Sequence, residues 1–388
     1  MSTTAEVELT VVLPCLNEER TVGRCVRQAI ETCAGSDISA EIVVADNGSA
    51  DRSCQLAREA GARVIDVPAR GYGAALRAGI AAARGRYVAM ADSDDSYEMK
   101  DIPALVTELR GGADLVMGSR FRGTIEPGAM PFLHRFLGNP VLTFLLNLFF
   151  GAGVSDAHCG LRAFSKSAID RLSLRSSGME FASEMLIRAT QEGLRIREVP
   201  TSLRPDGRDR KPHLRTWHDG WRHLRFMLLF SPLWLFLVPG ALLGACGFAI
   251  TIVVAFVPLT ILGHKLDTHF AIAGSSLAIL GLQLALLGVF AKTIFVLDGI
   301  GRSKGAQRLI ERFHLERWLL LGLVLFVAGV ALDATILVRW IRTHGGALDP
   351  NTTHLAILGG TLMAIGVELA FGAFFLSLLK ASRTGRWV

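Results

Sequence analysis

Three carboxylates fall within four positions where an apolar, β-prone run stops: Tyr87-Val-Ala-Met-Ala closes on Asp92-Ser93-Asp94-Asp95-Ser96. A strand that delivers Asp92 and Asp94 to its carboxyl end puts hard oxygen ligands at the edge where an open α/β sheet binds its ligand. Such oxygens suit Mg2+ or Mn2+ bridging substrate phosphates. The pair reads as a diphosphate-metal site, whereas a solvated turn or a helix cap is what the same residues form without a ligand beside them.

Other polar residues recur at comparable places. Asp46 ends a second strand-like run and is placed either to accept hydrogen bonds from a base or ribose or to cap the helix that follows. Gly71 and Gly73 precede a helical stretch, where backbone can approach a phosphate held by exposed N–H groups. The first strand leads into Pro-Cys-Leu-Asn-Glu rather than a Gly-x-Gly-x-x-Gly turn, which excludes a dinucleotide fingerprint.

The elements that must hold these residues alternate regularly. Strand-like runs at Leu9–Leu13, Glu41–Ala45, Arg63–Val67 and Tyr87–Ala91 are separated by helical patterns over 21–32, 50–60 and 71–83. Such alternation specifies an α/β domain with a Rossmann-like, mostly parallel sheet covered by helices, its functional loops gathered at one edge. After residue 230 the character changes: four apolar runs, at about 233–259, 270–297, 318–341 and 354–379, each approach or exceed the roughly 20 residues that cross a bilayer. Two domains are expected, 1–230 and an all-α, four-helix transmembrane domain over 231–388.

Charge orients the chain. Arg302, Lys304, Arg308, Arg312 and Arg317 lie between the second and third runs, and Lys380, Arg383 and Arg386 follow the fourth, which assigns both segments and both termini to the cytoplasm. Met1–Glu8 is polar and acidic, so no leader is expected. The net charge of +6 suits phosphates and anionic headgroups, and no aromatic-interleaved basic module points to nucleic acid. The six cysteines show no metal-ligand spacing and read as reduced thiols. Two further stretches, 132–150 and 214–230, mix aromatic and apolar residues with Arg and His and are expected to lie in the membrane interface. Of the polar residues within the spans, Gln283, Lys292, Asp298, Asp333 and Glu368, helix pairing or snorkelling is expected rather than catalysis.

The strings VVLPCLNEE at 11–19, VVADNGSADRS at 43–53, RGYGAALRAGI at 70–80, MADSDDSY at 90–97 and MGSRFR at 117–122 together resemble the family 2 glycosyltransferases of the GT-A fold. Within that family the chain is most similar to polyprenyl-phosphate glycosyltransferases of the dolichyl-phosphate mannose or glucose synthase type. DAHCGLRAF at 156–164, GMEFASEM at 178–185 and RKPHLRTWHDGWRHLRFML at 210–228 extend the likeness.

The resemblance implies an inverting, metal-dependent transfer of one hexose from a nucleotide sugar to dolichyl or undecaprenyl phosphate, UDP-glucose being favoured over GDP-mannose. It implies that Pro14, Asn17, Glu18 and Asp46 line the nucleotide pocket, with Asp92 beside them, and that Asp92 and Asp94 bind the metal. Ser96 stands where some relatives carry Gln as an additional ligand. A lipid phosphate, with a second pKa of about 6, attacks largely deprotonated, so cations that position it matter more than a base. Arg120, Arg122, Arg135 and Arg162 are the candidates, with Arg120 and Arg135 favoured for the acceptor phosphate and for catalysis beside Asp94. Glu180 and Glu184, four apart on one helical face, and Asp156 are candidates for the sugar or acceptor site; His158, beside Asp156, would help organise the reacting groups and is not read as catalytic. A processive polysaccharide synthase would carry a Gln-x-x-Arg-Trp element after the acidic cluster, which is absent here, and a membrane component that only binds sugar nucleotide would not need both aspartates. A homo-oligomer is compatible with the chain.

Overall fold

The computed structural model describes residues 7–207, 216–257, 260–261, 264–265, 267–299, 313–346 and 349–384. The chain divides into two compact units, Met1–Met227 and Leu228–Val388. Arg302, Lys304, Arg308, Arg312 and Arg386, and the segment 214–215, lie outside the described residues.

The first unit is built on strands β1 (Leu9–Cys15), β2 (Ala40–Asp46), β3 (Arg63–Asp66), β4 (Tyr87–Met90), β5 (Leu115–Ser119), β6 (Arg162–Ser165) and β7 (Ile196–Pro200). They form one sheet in the order β3-β2-β1-β4-β6-β5-β7. All neighbours run parallel except β6, which is antiparallel to both β4 and β5. β1 is buried at all seven positions, as expected of a central strand covered on both faces. Pro14 is tolerated there because it pairs with Ala45 on β2 at a level above Val12, where pairing with β4 stops.

Helices α1 (Val22–Ala34), α2 (Ser53–Glu59), α3 (Tyr72–Ala82) and α4 (Ile102–Arg110) connect the strands. In α1 the buried residues Val22, Cys25, Val26, Ala29 and Cys33 recur at three- and four-residue spacing and pack into the core with Val11, Leu13, Ile42 and Val44. Further on come α5 (Asn139–Phe150), α6 (Lys166–Asp170), α7 (Phe181–Gln191) and α8 (Thr216–Phe230). Both stretches expected at a membrane interface are helical where described, α5 being preceded by a π-helical turn at His134–Gly138. They leave large apolar side chains uncovered: Phe132, Phe136 and Phe144 in one, Trp217 and Trp221 in the other.

The second unit is helical apart from a two-strand ribbon of two-residue strands. Its four long apolar helices, Leu233–Phe256, Thr268–Leu297, Leu315–Arg342 and Asn351–Arg383, are each long enough to cross a membrane. Three of them carry the labels α9 (Val238–Phe256), α10 (Thr268–Leu297) and α11 (Leu315–Arg342), and the last lies in α12 (Pro350–Thr384). Glycines bring their backbones together: a Cβ on Gly281 would stand 2.1 Å from the Gly244 nitrogen, and one on Gly366 2.5 Å from the Gly322 oxygen. Gln283 on α10 donates to Glu368 on α12 at 2.8 Å, and Asp298 pairs with Arg383 at 3.2 Å. Gln283, Asp298 and Glu368 therefore join helices to one another. The protein is a membrane protein.

Candidate active site

The loops after β1, β2, β3 and β4 meet at the carboxyl edge of the sheet and are tied by their own side chains. The Asn17 N–H donates to Ser49 Oγ and the Ala50 N–H to Asn17 Oδ1, each at 2.8 Å. The Glu18 N–H donates to Ser53 Oγ at 2.7 Å. Asn17 holds a left-handed backbone, φ 57°, which asparagine tolerates better than most residues. Asp46 accepts the N–H groups of Gly48 and Ser49, each at 3.0 Å, so it closes its own turn rather than capping α2. Asn47 extends the network, donating to Ala69 O at 2.7 Å and accepting from the Gly71 N–H at 2.7 Å.

Asp92 and Asp94 follow β4 directly. Tyr72 Oη donates to Asp92 Oδ1 at 2.9 Å, and Ser96 Oγ to Asp94 Oδ1 at 2.5 Å. Ser96 thus serves Asp94, and each carboxylate is aimed by a hydroxyl. Asp94 is also held through its backbone, its carbonyl accepting from the Gly207 N–H at 2.9 Å. Asp95, with a left-handed φ of 62°, turns away to Arg24 at 2.8 Å. Among the described residues no group of three His, Cys, Asp or Glu side chains could hold a metal by itself. Two hard carboxylates without a third protein ligand fit a Mg2+ or Mn2+ ion whose remaining positions go to substrate phosphate oxygens.

Several expected ligand contacts are instead internal. Arg120 is buried in a bidentate pair with Asp156, Nε to Oδ2 at 2.7 Å and Nη2 to Oδ1 at 2.8 Å. Neither member of that pair opens to a phosphate or sugar, because each neutralises the other. Arg162 is fully buried and donates to the carbonyls of Cys159, Ala182 and Ala157 at 2.7–2.9 Å, so it pins backbone instead of clamping a ligand. Glu184 is likewise buried, accepting the N–H groups of Arg175 and Ser176 and pairing with Arg188 at 3.0 Å. Glu180 turns elsewhere, to Arg222 at 2.9 Å.

The two glycines are also explained from within. A Cβ on Gly71 would stand 2.2 Å from the Ser177 oxygen and one on Gly73 2.6 Å from the Ser176 oxygen, so they admit the 176–178 backbone where a phosphate was expected. Arg122 is exposed and 3.6 Å from Glu198, at a cavity of about 560 Å3 along β7 that includes Arg195 and Arg197 but neither aspartate. Arg135 is half-buried over the Phe136 ring, 5.5 Å from its centroid, and pairs with no carboxylate among the described residues. Tyr72 is the contributor the sequence reading missed; its place in RGYGAALRAGI, between the two glycines, was the available signal.

A sheet with loops tied at one edge, two aimed aspartates after its central strand and four membrane-length helices describe an α/β domain with a candidate ligand site, joined to a membrane region. The signature of Glycosyl transferase family 2 matches residues 10–173, and that of the family's C-terminal transmembrane region matches 289–380. The low-salt glycan biosynthesis hexosyltransferase of Haloferax volcanii is 38% identical over 96% of this chain and 89% of its own. The dolichyl-phosphate hexose transferase of the same organism is 34% identical over 51% of this chain and 83% of its own. A solved glucosyl-3-phosphoglycerate synthase from Mycobacterium tuberculosis, in complex with Mn2+, UDP-glucose and phosphoglyceric acid, covers 58% of this chain and 79% of its own. Its TM-score is 0.47 and its identity 26%. The chain belongs to glycosyltransferase family 2, with the GT-A type of catalytic domain, and is a glycosyltransferase.

Proposed function

We propose that the protein transfers one hexose, with inversion, from a nucleotide sugar to dolichyl or undecaprenyl phosphate at the cytoplasmic face of the membrane, as a step of glycan biosynthesis. UDP-glucose is the favoured donor over GDP-mannose. The observation that carries this reading is the placement of Asp92 and Asp94 at the carboxyl end of β4, each aimed by a hydroxyl, in a chain that continues into four membrane-length helices. The names of the two Haloferax relatives point the same way.

Asp92 and Asp94 would hold Mg2+ or Mn2+, which when bound offsets the charge that develops on the departing diphosphate. Pro14 and Asp46, at the ends of β1 and β2, and Asn17 and Glu18, on the loop after β1, would line the nucleotide pocket, while Tyr72 keeps Asp92 in position. Arg135, with no carboxylate partner among the described residues, takes the acceptor phosphate. No general base is required, because a phosphate monoester is largely dianionic at neutral pH. Phe132, Phe136 and Phe144, with Trp217 and Trp221, enter the headgroup layer, so that a prenyl tail stays in lipid while its phosphate reaches the site.

The test is transfer of radiolabelled sugar from a panel of nucleotide sugars to undecaprenyl or dolichyl phosphate by purified protein, with and without divalent cation. Asp92→Asn and Asp94→Asn should each lower turnover by about 10²- to 10³-fold while folding and membrane insertion persist. Undiminished turnover in either variant would remove the metal assignment.

A further inference from the structure

Between α5 and β6 the chain passes beside Asp92, and almost every group in that passage is committed. Asp156 is paired with Arg120, the Ala157 carbonyl accepts from Arg162 at 2.9 Å, and the Gly160 N–H donates to Tyr97 Oη at 2.7 Å. Gly160 lies against Asp92 so closely that a Cβ there would stand 2.6 Å from Asp92 Oδ2. The exception is the His158 side chain. Both ring nitrogens are shielded from solvent, and neither has a hydrogen-bond partner among the described residues. Buried polar atoms without a hydrogen-bond partner are unfavourable inside a protein, so this ring calls for a reason.

The surroundings give the ring a defined chemical character. His158 stands edge-to-face with His223, ring centroids 4.7 Å apart, and His223 is itself fixed by Ser183 Oγ at 2.8 Å from Nδ1. Burial, His223 and the guanidinium groups of Arg162 and Arg120 all keep His158 neutral. A neutral imidazole offers one N–H donor and one acceptor nitrogen, which matches a hydroxyl and not a phosphate. The exposure that His158 retains belongs to its other atoms. A half-turn about Cβ–Cγ exchanges Nδ1 with Cδ2 and Nε2 with Cε1, and so presents both nitrogens at the opposite edge of the ring.

We infer that His158 binds a hydroxyl group of the hexose carried by the nucleotide, one ring nitrogen donating and the other accepting, and so sets which sugar the site accepts. This rests on the nucleotide-sugar reading above and assigns its sugar-recognising group. Its segment reaches Asp92 through Gly160, two residues on, so a diphosphate held at Asp92 would bring its hexose to this passage of chain.

The test measures binding by the full-length protein without acceptor, using UDP, UDP-glucose and a series of deoxyglucose analogues of UDP-glucose, with GDP and GDP-mannose in parallel. His158→Phe should bind the intact nucleotide sugar about tenfold more weakly, leave the bare diphosphate unchanged, and become indifferent to removal of one hydroxyl whose loss weakens the wild type. His158→Gln, which keeps a donor and an acceptor, should recover much of the affinity. Equal weakening of UDP and UDP-glucose, or losses that add to those of every deoxy analogue, would overturn the assignment. With acceptor absent, a failure to glycosylate prenyl phosphate would count only against the proposed acceptor. A wild type that binds neither nucleotide sugar would overturn both readings.

Discussion

Arg120 and Arg135 stand fifteen positions apart in the chain and meet opposite fates, which makes them a matched test of what a cation does here. Arg120→Ala strands the Asp156 carboxylate, which is wholly buried, and should destabilise the catalytic unit by about 3–5 kcal/mol. Arg135→Ala removes a half-buried guanidinium with no carboxylate partner among the described residues. It should leave the melting temperature almost unchanged, raise KM for lipid phosphate about tenfold, and spare nucleotide binding. Thermal melts and steady-state kinetics on the two variants decide the matter, and equal loss of acceptor and nucleotide binding in Arg135→Ala would remove the clamp. Asp92 and Asp94 could be picked out from the sequence because they stand two positions apart where an apolar run ends. The Arg120–Asp156 pair could not, since the partners are 36 residues apart and meet only once the strands have packed. Gly71 and Gly73 misled for the same reason: the backbone they admit lies about a hundred residues downstream, at Ser176 and Ser177.

At the level of elements, α8 is held to α7 by His223, whose imidazole is buried against Ser183 on that helix. Burial pushes the His223 pKa down to about 4, with Arg162 and Arg222 acting in the same direction and Glu180 and Asp219 opposing. The folded protein therefore prefers the neutral ring. A histidine with a depressed folded pKa contributes stability that is fully present above its ordinary value near 6.5 and is lost as pH falls towards 4, here on the order of 3 kcal/mol. His223→Asn, which can still hydrogen-bond to Ser183, should flatten the fall in melting temperature between those pH values. Parallel profiles for wild type and variant would show that α8 is not docked through a neutral imidazole. The first four strands were readable because each is a short run of apolar or β-branched residues ending in a polar loop. The reversal of β6 was not, because a four-residue strand buried at Arg162, Ala163 and Phe164 has no exposed face to signal its direction. The helices α5 and α8 were legible from mixed aromatic and basic composition, which survives in the structure as uncovered phenylalanines and tryptophans.

The whole chain joins two units whose stabilities have different origins. The catalytic unit rests on a continuous apolar core and on loops stitched by Asn17, Asn47, Asp46 and Ser53. The helical unit rests on close glycine contacts and on the Gln283–Glu368 bond, which suit a lipid surround where burial of apolar surface supplies little drive. The four spans were legible from apolar length alone, but the glycine pairings that order them depend on which helix faces which, and one span's sequence does not say. From this division we expect a chain ended after Pro232 to keep its fold and its affinity for nucleotide sugar within about threefold, because the core and the loop network lie upstream. The same truncation should slow transfer to undecaprenyl phosphate far more than transfer to a short, water-soluble prenyl phosphate. A long isoprenoid must be presented from lipid at a local concentration that only an anchored enzyme experiences. Circular dichroism, nucleotide-sugar titration and paired assays with the two acceptors separate the outcomes. Equal slowing with both acceptors would mean that the spans shape the catalytic site itself, and loss of folding would mean that they are part of its structural support.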